Sequence, residues 1–168
     1  MISKEEALRL IEGTSKYSHS LDVSAIMGKM AERLGEDREK WEIVGLLHDL
    51  DYDQVKNDMS RHGIVASEIL NGKLPKDCLY AIRSHDYRTS FKPKGKLDIA
   101  LIIADSLAIL TERIKNRQTL NVENLREQIE KISDKSPWYK ENLVRCKEIS
   151  LSKPEVRKLV IEALRENS

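Results

Sequence analysis

Apolar residues recur at helical spacing through nearly the whole chain, and nowhere do they alternate with polar ones over the length of a strand. The pattern predicts an all-α fold. Ser3 and Glu6 form a capping-box pair ahead of Ala7, Leu10 and Ile11, and Gly13 closes that first helix. A second helix carries Val23, Ile26, Met27, Met30 and Leu34 along one face and stops at Gly35. Asp37 caps a third, which runs through Trp41, Val44 and Leu47. Another is expected from about Ser60 to Leu70, ending at Asn71-Gly72, and Pro75 suits the first turn of a helix with Leu79 and Ile82.

Residues 86–96, with Pro93, Gly95 and the cations Arg88, Lys92, Lys94 and Lys96, read as a loop. KLDIALIIADSLAILTERI follows and is the most hydrophobic helical stretch of the chain. Beyond it the pattern gives an amphipathic helix with Val122, Leu125, Ile129 and Ile132, then one opened by Ser136-Pro137. A last helix is capped by Ser152 and Glu155 ahead of Val156, Leu159, Val160 and Ala163. No repeat or linker interrupts this series, so the 168 residues are read as one domain.

Charge and composition exclude some partners. Lys plus Arg (29) against Asp plus Glu (28) leaves a net charge of +1, too little for bulk attraction to a polyanion or a membrane surface. Aromatic residues make up 5% of the chain, which argues against an extended single-strand nucleic-acid surface, and Trp41, Trp138 and Tyr139 are read as packing residues. Cys78 and Cys146 are distant in sequence and outside CxxC spacing, as expected of a reduced, cytoplasmic chain. MISKEEALRLIEG breaks its apolar pattern with charges and does not suit the core of a signal peptide. No stretch reaches the roughly 18 to 20 apolar residues of a membrane span.

Candidate chemistry begins where the third helix ends, in GLLHDLDYD (45–53). All four histidines, His19, His48, His62 and His85, lie at or near expected helix ends, and Asp105 sits mid-way along the most hydrophobic helix. An ionised carboxylate among core side chains costs several kcal/mol without a partner. The partner is either a cation or hydrogen-bond donor on a neighbouring helix, or a metal ion. Metal ligation also accounts for His48-Asp49 at a helix end, and imidazoles mixed with carboxylates suit a divalent first-row metal such as iron, manganese, cobalt, nickel or zinc. Asp49, Asp51 and Asp53 imitate the start of an EF-hand loop, but Gln54 and Ser60 stand where Gly and Glu are required. Asp51 and Asp53 are therefore read as turn, supporting or solvated acids.

His19, then His48-Asp49 after an apolar helix, then Asp105 inside another, resembles the H…HD…D pattern of HD-domain metal-dependent phosphohydrolases. EDREKWEIVGLLHDLDYD, RHGIVASEIL and AIRSH are similar to stretches of the small bacterial and archaeal members, and ISDKSPWYKENLVRCKEI to their C-terminal helical extension. His85-Asp86 is a second HD dipeptide, without an apolar helix in front. Leu50-Asp51 follow the first dipeptide in place of the common Ile-Gly, and no lysine completes an HDIGK form.

The resemblance implies that His19, His48, Asp49 and Asp105 hold one divalent ion, with magnesium added to the metals above. It implies a second ion on His62 and His85, with Asp49 as the bridge that also positions a water. The metal-binding core would span about residues 15–116, with C-terminal helices over about 117–168. The implied activity is hydrolysis of a phosphate ester or anhydride in a small molecule, a nucleotide being favoured. Arg61, Arg88, Lys92 and Lys94 are candidates for phosphate contact, while nothing in the pattern selects Arg83 or Arg113. The alternative is a non-catalytic sensor of metal or nucleotide on the same scaffold.

Overall fold

The computed structural model describes residues 1–112, 119–133 and 138–167, and among these the regular structure is helical throughout. In chain order the α-helices are α1 (Lys4–Ile11), α2 (Tyr17–Leu34), α3 (Arg38–Leu47), α4 (Tyr52–Val55), α5 (Ile64–Ile69), α6 (Lys76–Ser84), α7 (Lys96–Glu112), α8 (Val122–Ser133), α9 (Trp138–Val144) and α10 (Lys153–Glu166). Short 3-10 turns occupy Met59–Arg61 and Arg145–Ile149. Ser136-Pro137, Arg113 and the end of the KLDIALIIADSLAILTERI stretch lie outside the described residues.

Local rules place most helix ends. Ser3 and Glu6, and Ser152 and Glu155, form reciprocal capping boxes at α1 and α10, and Asp37 accepts from the Lys40 backbone N–H at 3.0 Å to start α3. Gly35 takes the left-handed conformation that ends α2. Asp98, in the first turn of α7, reaches back to the backbone N–H groups of Lys94 and Gly95 at 2.8 and 3.3 Å.

The core is built around α7, which is buried over most of its surface and packs against α2, α6 and the Arg145–Ile149 turn. Its fully buried Leu101, Ile103 and Leu107 contribute about 1.5–3 kcal/mol each by leaving water. The closest helix pairing is α2 with α3, and Gly45 makes it possible: a Cβ there would lie 2.7 Å from the Ser24 Cα. That approach carries the end of α3, with His48, against the start of α2, with His19. α10 also packs on α2, and its Val156, Val160 and Leu164 are buried. Both cysteines are buried and free, and Trp138, 37% exposed, stacks on buried Tyr139. Among the described residues no helix is long and apolar enough to cross a membrane.

The segment expected as a helix from Ser60 to Leu70 is divided. Met59–Arg61 form a 3-10 turn, His62 is extended (φ −62°, ψ 134°), Gly63 is left-handed (φ 75°), and α5 begins only at Ile64. The short α4 is a second departure from the expected pattern. The division of the Ser60–Leu70 segment follows from Asp51, whose fully buried side chain gathers the start of α5 from across the turn.

Candidate metal centre

The four histidines converge, each brought in by a different element. His19 is on the first turn of α2, His48 and His85 cap the C-termini of α3 and α6, and His62 precedes α5. All four are buried, between 0 and 7% exposed. In each the Nδ1–H is anchored outward: His48 donates to the Gly45 carbonyl (2.8 Å), His85 to the Ile82 carbonyl (2.7 Å), His62 to Asp51 (2.9 Å) and His19 to Glu112 (2.7 Å). Such anchoring fixes ring orientation and leaves Nε2 as the inward atom available to a ligand.

The Nε2 atoms meet two carboxylates. Asp49 Oδ1 lies 3.0 Å from His62 Nε2, 3.3 Å from His48 Nε2 and 3.6 Å from His85 Nε2. Its Oδ2 faces His19 Nε2 at 3.8 Å and the Lys16 ammonium at 3.5 Å. Asp105 Oδ1 is 2.9 Å from His19 Nε2 and 3.7 Å from His48 Nε2. Asp49 is almost fully buried, whereas the Asp105 side chain is 20% exposed and marks the open side of the cluster. Ligand atoms of His19, His48 and Asp105, and again of His48, Asp49 and His85, lie close enough together to share an ion.

Electrostatics point the same way. Burial opposes protonation of His19, but its bonds to Asp105 and Glu112 overcome this and raise its pKa to about 10. Burial likewise opposes protonation of His62, and Asp49 and Asp51 raise it to about 9. Burial would raise the Asp49 carboxyl, yet the surrounding His48, His62 and His85 hold it well below the usual range, and His19 and His48 do the same for Asp105. A proton on Nε2 and a metal ion compete for one lone pair, so a site that draws protons this strongly suits a cation.

Two features single out the inward nitrogens. His48 Nε2 is buried and lacks a hydrogen-bond partner. The Nε2 atoms of His62 and His85 face one another at 3.2 Å inside the core. The donor set, imidazole and carboxylate, fits a divalent first-row metal.

Other residues named from sequence are placed as follows. Arg61 is exposed on the 3-10 turn before His62. Arg88 is tied to Asp86 through both its Nε and an Nη, next to the 84% exposed Tyr87. Lys92 is exposed and its backbone carbonyl accepts from the Tyr80 hydroxyl. Lys94 places its ammonium 4.3 Å over the Tyr80 ring, and Lys96 pairs with Glu36 at 2.9 Å. These last two line a cleft with Lys40, Trp41 and Asp77 at the N-terminal end of α7, nine residues and roughly 13 Å from Asp105 along the helix. Arg83 donates to Ser67 Oγ.

Sequence reasoning missed Lys16, Glu112 and Tyr52. Lys16 lies one turn before His19, and Glu112 lies two turns after Asp105 on the same face of α7, so helical spacing carried a signal for both. Asp51, read as a supporting acid, accepts from His62 Nδ1, Gly63 N and Ala66 N.

The fold over nearly the full chain is similar to a solved structure, the HD domain of the L. monocytogenes phosphodiesterase PgpH. The TM-score is 0.66 with 15% identity, and the match covers 96% of this chain and 98% of that one. Among curated proteins the chain is 35% identical over 92 residues to Ribonuclease Y of Nitratidesulfovibrio vulgaris, and 28% identical over 127 residues to Ribonuclease Y of Desulfotalea psychrophila. These matches take in 54% and 74% of the chain, which spans only 17% and 24% of those relatives' lengths. A family model described as the HD domain matches residues 17–110, a range that begins two residues before His19, ends five past Asp105 and encloses the whole histidine cluster; the chain belongs to that family.

Proposed function

We propose that the chain is a metal-dependent phosphohydrolase that cleaves a phosphate ester or anhydride of a small molecule, with a nucleotide as the favoured substrate class. The observation that carries this reading is the set of four Nδ1-anchored histidines aimed at Asp49 and Asp105, with His48 Nε2 unpartnered among them. The relatives' names, one a ribonuclease and one a phosphodiesterase, support phosphoester chemistry.

In this reading His19, His48 and Asp105 hold one divalent ion, His62 and His85 a second, and Asp49 lies between them. When bound, such ions polarise phosphoryl oxygens and supply a nucleophilic water near neutral pH. Asp49, with oxygens facing both histidine groups, orients that water. Arg61 and Arg88, close to His62 and Asp86 in the chain, orient phosphate oxygens ahead of Lys92 and Lys94, whose segment runs toward Tyr80. The C-terminal helices from about residue 117 belong to the same domain, through the packing of α10 on α2.

The test is metal analysis coupled to a phosphate-release screen over mononucleotides, dinucleotides and a short RNA. Stoichiometry between one and two, with release by wild type and none by Asp49→Ala, is the expected result. Metal and nucleotide binding without turnover would establish the sensor alternative instead. Cleavage of RNA alone would replace the small-molecule substrate with a polymer.

A further inference from the structure

The geometry points to Lys16 as the residue that receives the substrate's phosphate at the open side of the metal cluster, with the Tyr52 ring as its support. The inference rests on the phosphohydrolase reading for its context, though not for its test. Lys16 immediately precedes α2 and lies three residues before His19, so its side chain rises on the same side as the imidazole. Its ammonium is 4.3 Å over the Tyr52 ring, and Tyr52 in turn stands edge-on to His62 at 5.7 Å. The lysine side chain keeps 23% exposure, beside Asp105 at 20% and Glu112 at 42%, which together form the solvent-facing edge. Asp53 fixes the chain just before it by accepting from Ser15 N and Ser15 Oγ at 2.9 and 2.6 Å.

Among the described residues, the ion pair that Lys16 makes in the cluster is with Asp49 Oδ2 at 3.5 Å, and that oxygen also faces His19. If the purpose of Lys16 were to support Asp49 as a ligand, its removal would weaken metal retention. The charges argue otherwise. A fixed ammonium a few ångströms from a divalent cation repels it; Asp49 Oδ2 between them offsets part of that repulsion, and an arriving anion relieves the rest. A phosphate held by the cluster does this, taking the ammonium's N–H on a free oxygen. Lys16 thus opposes metal binding and favours phosphate binding, and the two effects have opposite signs in one variant.

The experiment uses the full chain, manganese(II) as the metal and inorganic phosphate as the anion. Calorimetric titrations measure manganese affinity, then phosphate affinity of the manganese-loaded protein, for wild type, Lys16→Met and Lys16→Arg. Loss of one charge-assisted hydrogen bond predicts that Lys16→Met weakens phosphate by about tenfold to a hundredfold. Manganese should bind the variant as tightly as wild type or tighter, and Lys16→Arg should retain phosphate. Thermal melting of the loaded proteins confirms that each is folded. A Lys16→Met variant that loses manganese in step with phosphate, or one that binds phosphate like wild type, would overturn the proposal. So would a loaded wild type that does not bind phosphate. If phosphate binding depends on Lys16 but no phosphate compound is turned over, the hydrolase reading fails and the phosphate site stands.

Discussion

Asp51→Asn tests how the cluster is held. The Asp51 side chain is 0% exposed and uses both oxygens: Oδ1 accepts from His62 Nδ1–H at 2.9 Å, and Oδ2 from the backbone N–H groups of Gly63 and Ala66 at 2.8 and 2.9 Å. Asparagine has the same shape but only one acceptor oxygen, so one side of this arrangement must fail. If the amide nitrogen faces Gly63 and Ala66, two buried donors are stranded at about 1–3 kcal/mol each, or roughly 2–6 kcal/mol together. If it faces His62 instead, the imidazole need only move its proton, exchanging one charge-assisted bond for a neutral one at a cost of about 1–2 kcal/mol. The second orientation wins. His62 then accepts at Nδ1 and carries its proton on Nε2, where it can donate to Asp49 but can no longer bind a cation.

The expected result is therefore specific: a folded variant whose destabilisation stays within about 2 kcal/mol and whose metal content falls from about two ions toward one. Affinity for the ion on the His62 side should weaken by about 10- to 100-fold, the usual effect of losing a ligand's outer partner. Chelator-competition titrations give the affinities, and nitrogen-15 NMR of the imidazoles reports the tautomer of His62. An Asp51→Asn variant that keeps the wild-type stoichiometry and affinity, or whose His62 retains its proton on Nδ1, would refute the reasoning.

Two further outcomes can be measured on the metal-free and metal-loaded protein. His19 and His62 have pKa values raised from 6.5 to about 10 and about 9, so their stabilising contribution is complete below about 6.5 and fades as pH climbs through the folded values. Denaturant midpoints of the chelated protein should fall across that window while those of the loaded protein change less; a chelated midpoint that rises would contradict the assignment. Gly63→Ala should cost about 2–5 kcal/mol, the sum of a left-handed alanine and an overpacked contact, because its Cβ would meet the Ile82 carbonyl at 2.3 Å and the His85 ring at 3.2 Å. Gly72→Ala has a similar φ of 77° but open space around it, so it should cost only the conformational part, about 1–2 kcal/mol. Equal losses by denaturation would show that the approach of Gly63 to the Ile82 carbonyl and the His85 ring is not tight.

What could be read from the chain and what could not divide along the range of the interactions. The capping boxes of Ser3 and Ser152 and the left-handed Gly35 act within a few residues, and the pattern located them. The order of His19, His48-Asp49 and Asp105 was also legible, because each falls at a helix end or interrupts an apolar face. RHGIVASEIL misled because its period is helical while its conformation is set elsewhere, by Asp51 bonding 11, 12 and 15 residues ahead. No local rule contains that cap. Glu112 and Lys16 became predictable only once Asp105 and His19 were taken as site residues and followed along their helices.

GLLHDLDYD shows why the same stretch could suggest a calcium loop. Asp49, Asp51 and Asp53 are spaced by two, but the backbone between α3 and α4 turns, so the three side chains leave in different directions. Asp49 enters the histidine cluster, Asp51 turns to the start of α5, and Asp53 crosses to Ser15 at the start of α2. Each acid therefore fixes one wall: the cluster's centre, the orientation of His62, and the segment that presents Lys16. A calcium loop would need those carboxylates to face one point. Here their divergence brings three separate chain segments to a single cluster, so the burial cost of Asp49 and Asp51 is offset by the donors and the cation that they collect.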